Sequence, residues 1–296
     1  MPGPDSLEGW RNRFAAFVAK KTAAAVGASP APYETVAAHP SPALQPIATP
    51  WSSVAFGGPF YVREPSSAGL PTCSLVFVRS ADGNTVADNP ASLGGGATDF
   101  HVMFEGLSRV AADAVLAGAR TVHGGNNVFS VWHPEMVDLR NTLGHERHPT
   151  QVVATRKGVD LDRGLLFNVP DLPVILLTES AGMQAMEKSL AARPWIRTLA
   201  LSNRTDLTSA FAALRAAGIR RISCIGGRSV AAELLALKLI DDVYLTTSAR
   251  EGGAPGTPLP ADALDGDVVL EKRGTGDDRG VVFEHFDLRR ETRTVL

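Results

Sequence analysis

Leu7, Trp10, Phe14 and Phe17 recur at three- and four-residue spacing, which predicts a helix stopped by Gly27. Asp5 and Glu8 stand at the positions of a capping box before it. Residues 28–72 lose that period. Pro, Ala and Ser dominate there, with Trp51, Phe56, Phe60 and Tyr61 interspersed, the pattern of an arm pinned to a neighbouring surface by its aromatics. From Thr72 onward, short apolar runs alternate with helical periods. Cys73–Val78 reads as a buried strand, and Phe100, Met103, Leu107, Val110 and Ala114 describe one helix face. Further strands are predicted at Val115–Gly118, Gln151–Thr155, Val174–Thr178, Arg197–Leu201, Arg221–Ile225 and Val243–Thr247. A polar loop is predicted from Val122 to His148. Thr205 or Asp206 caps a helix with Leu207, Phe211 and Leu214 inward and Gly218 as its stop, and Arg228–Lys238 is a second such helix. Val268–Lys272 and Val281–Phe286 flank a Gly-bounded turn as a hairpin.

Strands separated by helices imply an α/β fold: a mostly parallel, mixed sheet covered on both faces, with a C-terminal antiparallel hairpin. The expected organisation is an N-terminal extension over residues 1–65, a helix plus a Pro/Ala-rich arm, followed by one domain over 66–296. The 296 residues, 44% of them apolar, suffice for a substantial core. No run of about 18 apolar residues is present, so no membrane helix is expected. The balance of 29 basic against 31 acidic residues, 29 − 31 = −2, lacks the basic excess of a nucleic-acid binder. Cys73 and Cys224, far apart in apolar runs, read as buried thiols of a reducing cytosol, and no secretory signal is read at the start. The expectation is a cytoplasmic protein acting on a small molecule.

Strand ends supply the candidate chemistry. After Ile222–Ile225, Gly226 and Gly227 lead directly into a helix that opens with Arg228, Ser229 and Val230. Glycines let the backbone approach a ligand, and the free amides of a helix start, with Arg228 and Ser229 beside them, suit a diphosphate. A tight turn that binds nothing has the same local sequence. Gly118, Arg120 and Thr121 end a second strand, and Thr178 and Ser180 a third. Ligands of open α/β sheets bind outside such carboxyl ends, so three together favour a nucleotide crevice. Ser80, Asp82 and Gly83 follow the first strand, where a short acid beside glycine is commonly a turn residue.

Taken in order, Ser80-x-Asp82-Gly83, Gly118-Ala119-x-Thr121-Val122, Gly226-Gly227 before a helix, and Leu239-Ile240-Asp241-Asp242-Val243-Tyr244-Leu245-Thr246 resemble the reductase domain of the riboflavin-pathway deaminase-reductases, within the dihydrofolate-reductase-like superfamily. The similarity covers about residues 70–290. It implies a homodimer that uses NADPH to reduce a small heterocyclic or sugar-linked imine or carbonyl, as 5-amino-6-(5-phosphoribosylamino)uracil reductase does. Carried over by position, Gly226–Val230 would cradle the diphosphate, and Gly118, Arg120 and Thr121 would lie along the cofactor. Thr178 and Ser180 would meet the 2′-phosphate and Val78 the nicotinamide, with Ser80 and Asp82 catalytic beside the reacting centre. His123, Asn126, Asn127 and Trp132 would line the substrate side. The chain departs from the riboflavin enzymes there: His123–Asn127 stands where an Asp follows the Thr-Val pair, and Ile225 where an acid precedes the glycines. The zinc-deaminase signature is absent.

Two other classes stay open, a nucleotide-binding protein of this fold without turnover and a partner-binding protein docking through its arm. A dihydropteridine- or dihydrofolate-type reductase is the alternative within the enzyme class. His145 and His148 have a chelating spacing but no placed third ligand, so no metal is expected and a solvated loop is the better reading. The long loop that holds them is a candidate substrate lid or dimer contact. Glu105 is read as a solvated helix carboxylate, with a proton donor as its other reading.

Overall fold

The computed structural model describes residues 6–65, 69–87, 90–123, 127–202 and 206–289. The chain opens with α1 (Leu7–Val26), β1 (Tyr33–Ala38), β2 (Leu44–Ile47), α2 (Pro50–Phe56) and β3 (Phe60–Arg63). Next come β4 (Thr72–Arg79) and α3, a π-helical stretch Thr98–Leu107 running into the α-helical turn Ser108–Val110. Then follow β5 (Ala114–Gly118), α4 (Ala119–Val122), α5 (Pro134–Thr142), β6 (Thr150–Thr155), α6 (Leu165–Asn168), β7 (Val174–Glu179), α7 (Ser180–Ala191) and β8 (Ile196–Leu201). The last are α8 (Leu207–Ala216), β9 (Arg221–Cys224), α9 (Arg228–Ala236), β10 (Asp242–Thr247), β11 (Asp267–Gly274) and β12 (Val282–Asp287).

Among the described residues, ten strands make one sheet in the order β1-β11-β12-β10-β4-β9-β5-β6-β7-β8, and β2 pairs with β3 separately. From β10 to β8 neighbours run parallel, and β12, β11 and β1 add an antiparallel flank, as the alternation of strands and helices and the terminal hairpin predict. Period-two alternation feeds a core on each face. Val115 and Ala117 join Trp132, Met136 and Phe167 on one side, while Ala114 and Leu116 join Phe211, Leu214 and Leu234 on the other. No helix of the described residues is long and apolar enough to cross a membrane.

Three local expectations change. Ser6 caps α1, its hydroxyl accepting from the Gly9 amide at 3.0 Å, and Asp5 lies outside the described residues. Ala114 starts β5 and does not extend the helix face before it. The stretch from Val122 to His148 is not a polar lid at its centre. Val128, Phe129, Val131, Trp132 and Met136 are core residues, and Pro134 starts α5. Burying that apolar run costs less than leaving it wet, whatever the polarity of its flanks.

The extension is built into the same sheet. Tyr33 of β1 pairs across to Gly274 and Thr35 to Lys272, while Phe56 meets Phe283 edge-on and Phe60 packs at a tilt on Tyr244. A buried charge network ties it further. Arg63 donates from Nε to Asp242 Oδ2 at 2.8 Å and from Nη2 to Oδ1 at 2.9 Å, and pairs with Asp287 at 2.6 Å. His285, fully buried, meets Asp242 Oδ1 at 2.9 Å.

His145 and His148 do not converge. His145 pairs with Asp113 at 3.2 Å, and His148 Nδ1 lies 2.8 Å from the Ser130 hydroxyl against Phe14 and Trp132. Burial, helped by Arg147 and Arg140, pushes His148 down to about 4 from 6.5. The unfolded chain therefore binds the proton first as pH falls, and stability drains between about 6.5 and 4, by at most about 3 kcal/mol. A His148→Gln variant should show a flatter loss of stability over that window in urea titrations. An unchanged acid limb would place the proton uptake elsewhere.

Candidate active-site groove

The chain leaves β4 towards β5 on one side and β9 towards β10 on the other, and a groove opens at the carboxyl ends of these parallel strands, where the connections diverge. It has a volume of about 1190 Å³ and lies between the ends of β4, β5, β6, β9 and β10, the first turn of α9, α3 and one face of α1. That is room for a dinucleotide together with a small acceptor.

Glycine shapes its floor. The Gly118 amide donates to Gly226 O at 2.8 Å, and the Ile225 amide to Leu116 O at 3.0 Å, so the β5 and β9 ends lie backbone to backbone. Gly226 has φ +102°, and a Cβ there would stand 3.0 Å from the Phe77 ring. A Cβ on Gly118 would meet Val230 Cγ2 at 3.3 Å. Neither position takes a side chain without displacing its neighbour. The Gly227 amide reaches Thr121 Oγ1 at 3.4 Å, and Val230 and Ala231 are the first α9 amides bonded back to Gly227 O. The Arg228 and Ser229 amides thus head the helix towards the groove, where the helix dipole favours an anion. Arg228 donates from Nη2 to Pro258 O at 3.1 Å, which fixes its guanidinium at this rim.

The groove gathers most of the residues singled out from sequence. Val78, Gly118, Arg120, Thr121, Gly226, Gly227, Arg228, Ser229 and Val230 line it, as do His123 and Asn127. Asn126 lies outside the described residues. Five are elsewhere. Ser80 is fully buried in a turn, its hydroxyl donating to Asn84 O at 3.2 Å. Asp82 is exposed on that turn and accepts from Asn84 Nδ2 at 2.9 Å and the Gly252 amide at 3.1 Å. These two hold a turn shut and do not reach the groove, so the catalytic assignment drawn from them is corrected. Thr178 is fully buried under the first turn of α7, where only the missing Cβ of Gly182 leaves space for its hydroxyl, and Ser180 is exposed outside the groove. The cations near this end are Arg156 and Lys157, on the turn that Thr155 closes by donating to Gly158 O at 2.8 Å. Trp132 is 1% exposed and packs against Phe17 and His148, so it is core and not substrate wall.

Carboxylates come from α3 instead. Asp99 lines the groove near the β10 end and accepts from the Gly95 amide at 3.1 Å. Burial pushes its carboxyl up; hydrogen bonds from Thr246 and Gly95 pull the other way, Asp278 adds to the rise, and the net shift is upward. Glu105 also lines the groove and is 5% exposed, contrary to the solvated position expected of it. It lies on the π-helical stretch, on one face with the buried Thr98, Val102 and Arg109, and its own polarity hides that placement in the sequence. Lys21 of α1 pairs with Glu105 at 2.6 Å, and Phe17 of α1 also faces the groove. Burial alone would raise the Glu105 carboxyl; His101 and Lys21 outweigh it and hold it below the usual carboxylate range.

Comparison with known proteins places these features. The RibD C-terminal domain family matches residues 71–265. No curated protein sequence matches the chain. Among solved structures, a pyrimidine reductase-like protein from Corynebacterium diphtheriae superposes with a TM-score of 0.58 at 24% identity, covering 75% of this chain and 93% of that one. Acinetobacter baumannii RibD gives 0.54 at 16% identity over 75% of this chain and 58% of that one. Saccharomyces cerevisiae riboflavin biosynthesis reductase Rib7 gives 0.51 at 16% identity, with 76% and 92% covered. At these identities the structural likenesses establish the fold.

Proposed function

Because the chain belongs to the RibD C-terminal domain family, an oxidoreductase family with a riboflavin-pathway pyrimidine reductase-like fold, we propose that it is an NADPH-dependent reductase of a small heterocyclic or sugar-linked imine or carbonyl. The observation that carries the cofactor assignment is the glycine-lined corner where Gly118, Gly226 and Gly227 leave backbone amides facing an open groove. Cβ atoms at Gly118 and Gly226 would crowd that corner, and it is not plugged by side chains.

In this reading the Arg228 and Ser229 amides and the Arg228 side chain hold the diphosphate, and Arg120 and Thr121 flank it. Arg156 and Lys157 supply the charge for a 2′-phosphate, replacing Thr178 and Ser180. Val78 and Thr246 flank the reacting end. When bound, NADPH supplies the hydride. The proton is the chain's contribution. Asp99, whose carboxyl burial shifts upward, donates its proton to the acceptor nitrogen or oxygen, and the Gly95 amide fixes its orientation. Apolar walls from Val76, Met103 and Phe283 keep water from this end. A homodimer and a cytoplasmic setting complete the reading.

Titration calorimetry tests it. Wild-type protein is expected to bind NADPH, and Arg228→Ala to weaken that binding about tenfold, the loss of one charge-assisted contact, while kcat stays within twofold. Unchanged NADPH affinity in Arg228→Ala would remove the diphosphate from this corner. NADPH binding without oxidation across a pyrimidine and pterin panel would favour a nucleotide-binding protein without turnover.

A further inference from the structure

The acceptor end of the groove carries an unbalanced buried charge, and part of it comes from residues outside the family-matched region 71–265. Arg109 of α3 lines the groove and is 1% exposed. Its Nη1 donates to Ser130 O at 3.2 Å, its Cζ lies 4.0 Å from the Phe104 ring centroid, and its Nε and Nη2 find no hydrogen-bond partner among the described residues. Arg140, equally buried, shows what a structural guanidinium does here. It spends its donors on the carbonyls of Arg109, Val110, Ala112 and Glu146 at 2.7–3.2 Å, capping the end of α3. Arg109 has no such set.

The nearest acid does not compensate it. Glu105 is already bonded to Lys21 at 2.6 Å, and among the described residues no carboxylate lies within 4.0 Å of Arg109. Two cations of the acceptor end, Lys21 and Arg109, therefore face one carboxylate, and Asp99, the other α3 acid lining the groove, is shifted by burial towards its neutral form, while the remaining lining acids, Glu179 and Glu233, stand on other elements. A buried charge without a partner is costly and marks a place where a partner arrives. The surrounding walls are aromatic: Phe17, Phe100, Phe104 and Phe129, with the Lys21 ammonium 5.2 Å over the Phe100 ring. Such walls receive a flat ring. A net excess of one positive charge matches a monoanion and leaves a phosphate monoester, at −1.5 to −2, under-neutralised.

We propose that Arg109, with Glu105 neutralised by Lys21, forms an acceptor subsite for a planar ring bearing a single carboxylate. This rests on the groove being a reductase site, with α1 completing the acceptor half. Lys21 is a positioning residue: without it, Glu105 would turn its charge on Arg109 and repel the anion.

Calorimetric titration of the full chain with benzoate, benzamide and phenyl phosphate reads this directly. Benzoate is expected to bind at least about tenfold tighter than the other two. Lys21→Met should weaken benzoate about tenfold, Glu105→Gln should tighten it by a similar factor, and Lys21→Arg should restore wild-type affinity. A merely structural ion pair predicts that Lys21→Met and Glu105→Gln weaken binding alike. That result overturns the proposal, as does no benzoate binding, equal binding of benzamide, or tighter binding of phenyl phosphate. NADPH titrated on the same samples separates the two readings. A charge-dependent benzoate site without NADPH affinity would sink the reductase and keep the anion site, and the reverse would keep the reductase alone.

Discussion

Replacing Asp99 with Asn should slow acceptor reduction by roughly 10²–10⁴-fold and leave NADPH affinity unchanged. Asn is nearly isosteric and can still accept from the Gly95 amide, so the loss isolates the proton, worth about 3–5 kcal/mol of barrier. The reason for choosing this acid is its surroundings. Burial, with the charge of Asp278 beside it, shifts the Asp99 carboxyl above the ordinary carboxylate value despite the hydrogen bonds from Thr246 and the Gly95 amide. A proton donor must start protonated, so wild-type kcat should fall as pH rises through that elevated pKa, and the Asn variant should lose this limb. The checking measurement is steady-state oxidation of NADPH across pH with whichever member of the pyrimidine and pterin panel the wild type reduces. A variant with full kcat and the same pH profile would return the proton to water or to another side chain. Asp82→Asn is the control, expected within twofold of wild type, because Asp82 holds a turn away from the groove.

The largest effect on stability is expected at Asp242. Asp242→Ala should cost about 3–5 kcal/mol in urea denaturation, because it leaves Arg63 and His285 buried with their shared acceptor gone. Burial pushes the Asp242 carboxyl up, but His285 and Arg63 outweigh it and leave it below the usual range. Its contribution is therefore present above the ordinary carboxylate pKa and drains as pH falls through the depressed one. Joint replacement of Arg63, Asp242 and His285 by apolar residues of similar volume should cost less than the single change, since only Asp287, at the partly exposed edge of the network, is then left without its partner. A single variant as stable as wild type would mean that water or Asp287 takes over the Arg63 charge. The network joins β3 of the extension to β10 and β12, so the same measurement tests how firmly residues before 66 are fastened to the sheet.

Much of the fold is legible along the chain because a strand buried on both faces must be apolar almost throughout. Cys73–Val78, Val174–Thr178 and Val243–Thr247 announce themselves in this way, and Gly218 or Gly226 punctuate them. The glycine corner was equally legible, because a positive φ and a backbone contact both demand the same residue. Side chains whose roles depend on direction were not. Ser80 and Asp82 have the right chemistry at a strand end, yet they close their own turn. Trp132 and its neighbours sit in a segment of polar flanks, and only packing against Phe17 shows it as core.

By itself, then, the order of residues determined the alternation of elements, the parallel sheet and the place where backbone amides open towards a ligand. These follow from short-range rules: period, propensity and the steric freedom of glycine. The acceptor end was decided by tertiary structure alone. Glu105 is buried on α3 despite its polarity, α1 arrives from 84 positions away to bind it, and Arg109 is left buried with two of its nitrogens unpartnered among the described residues. Charges act through space across whatever the fold brings near, so their balance exists only once the chain has closed.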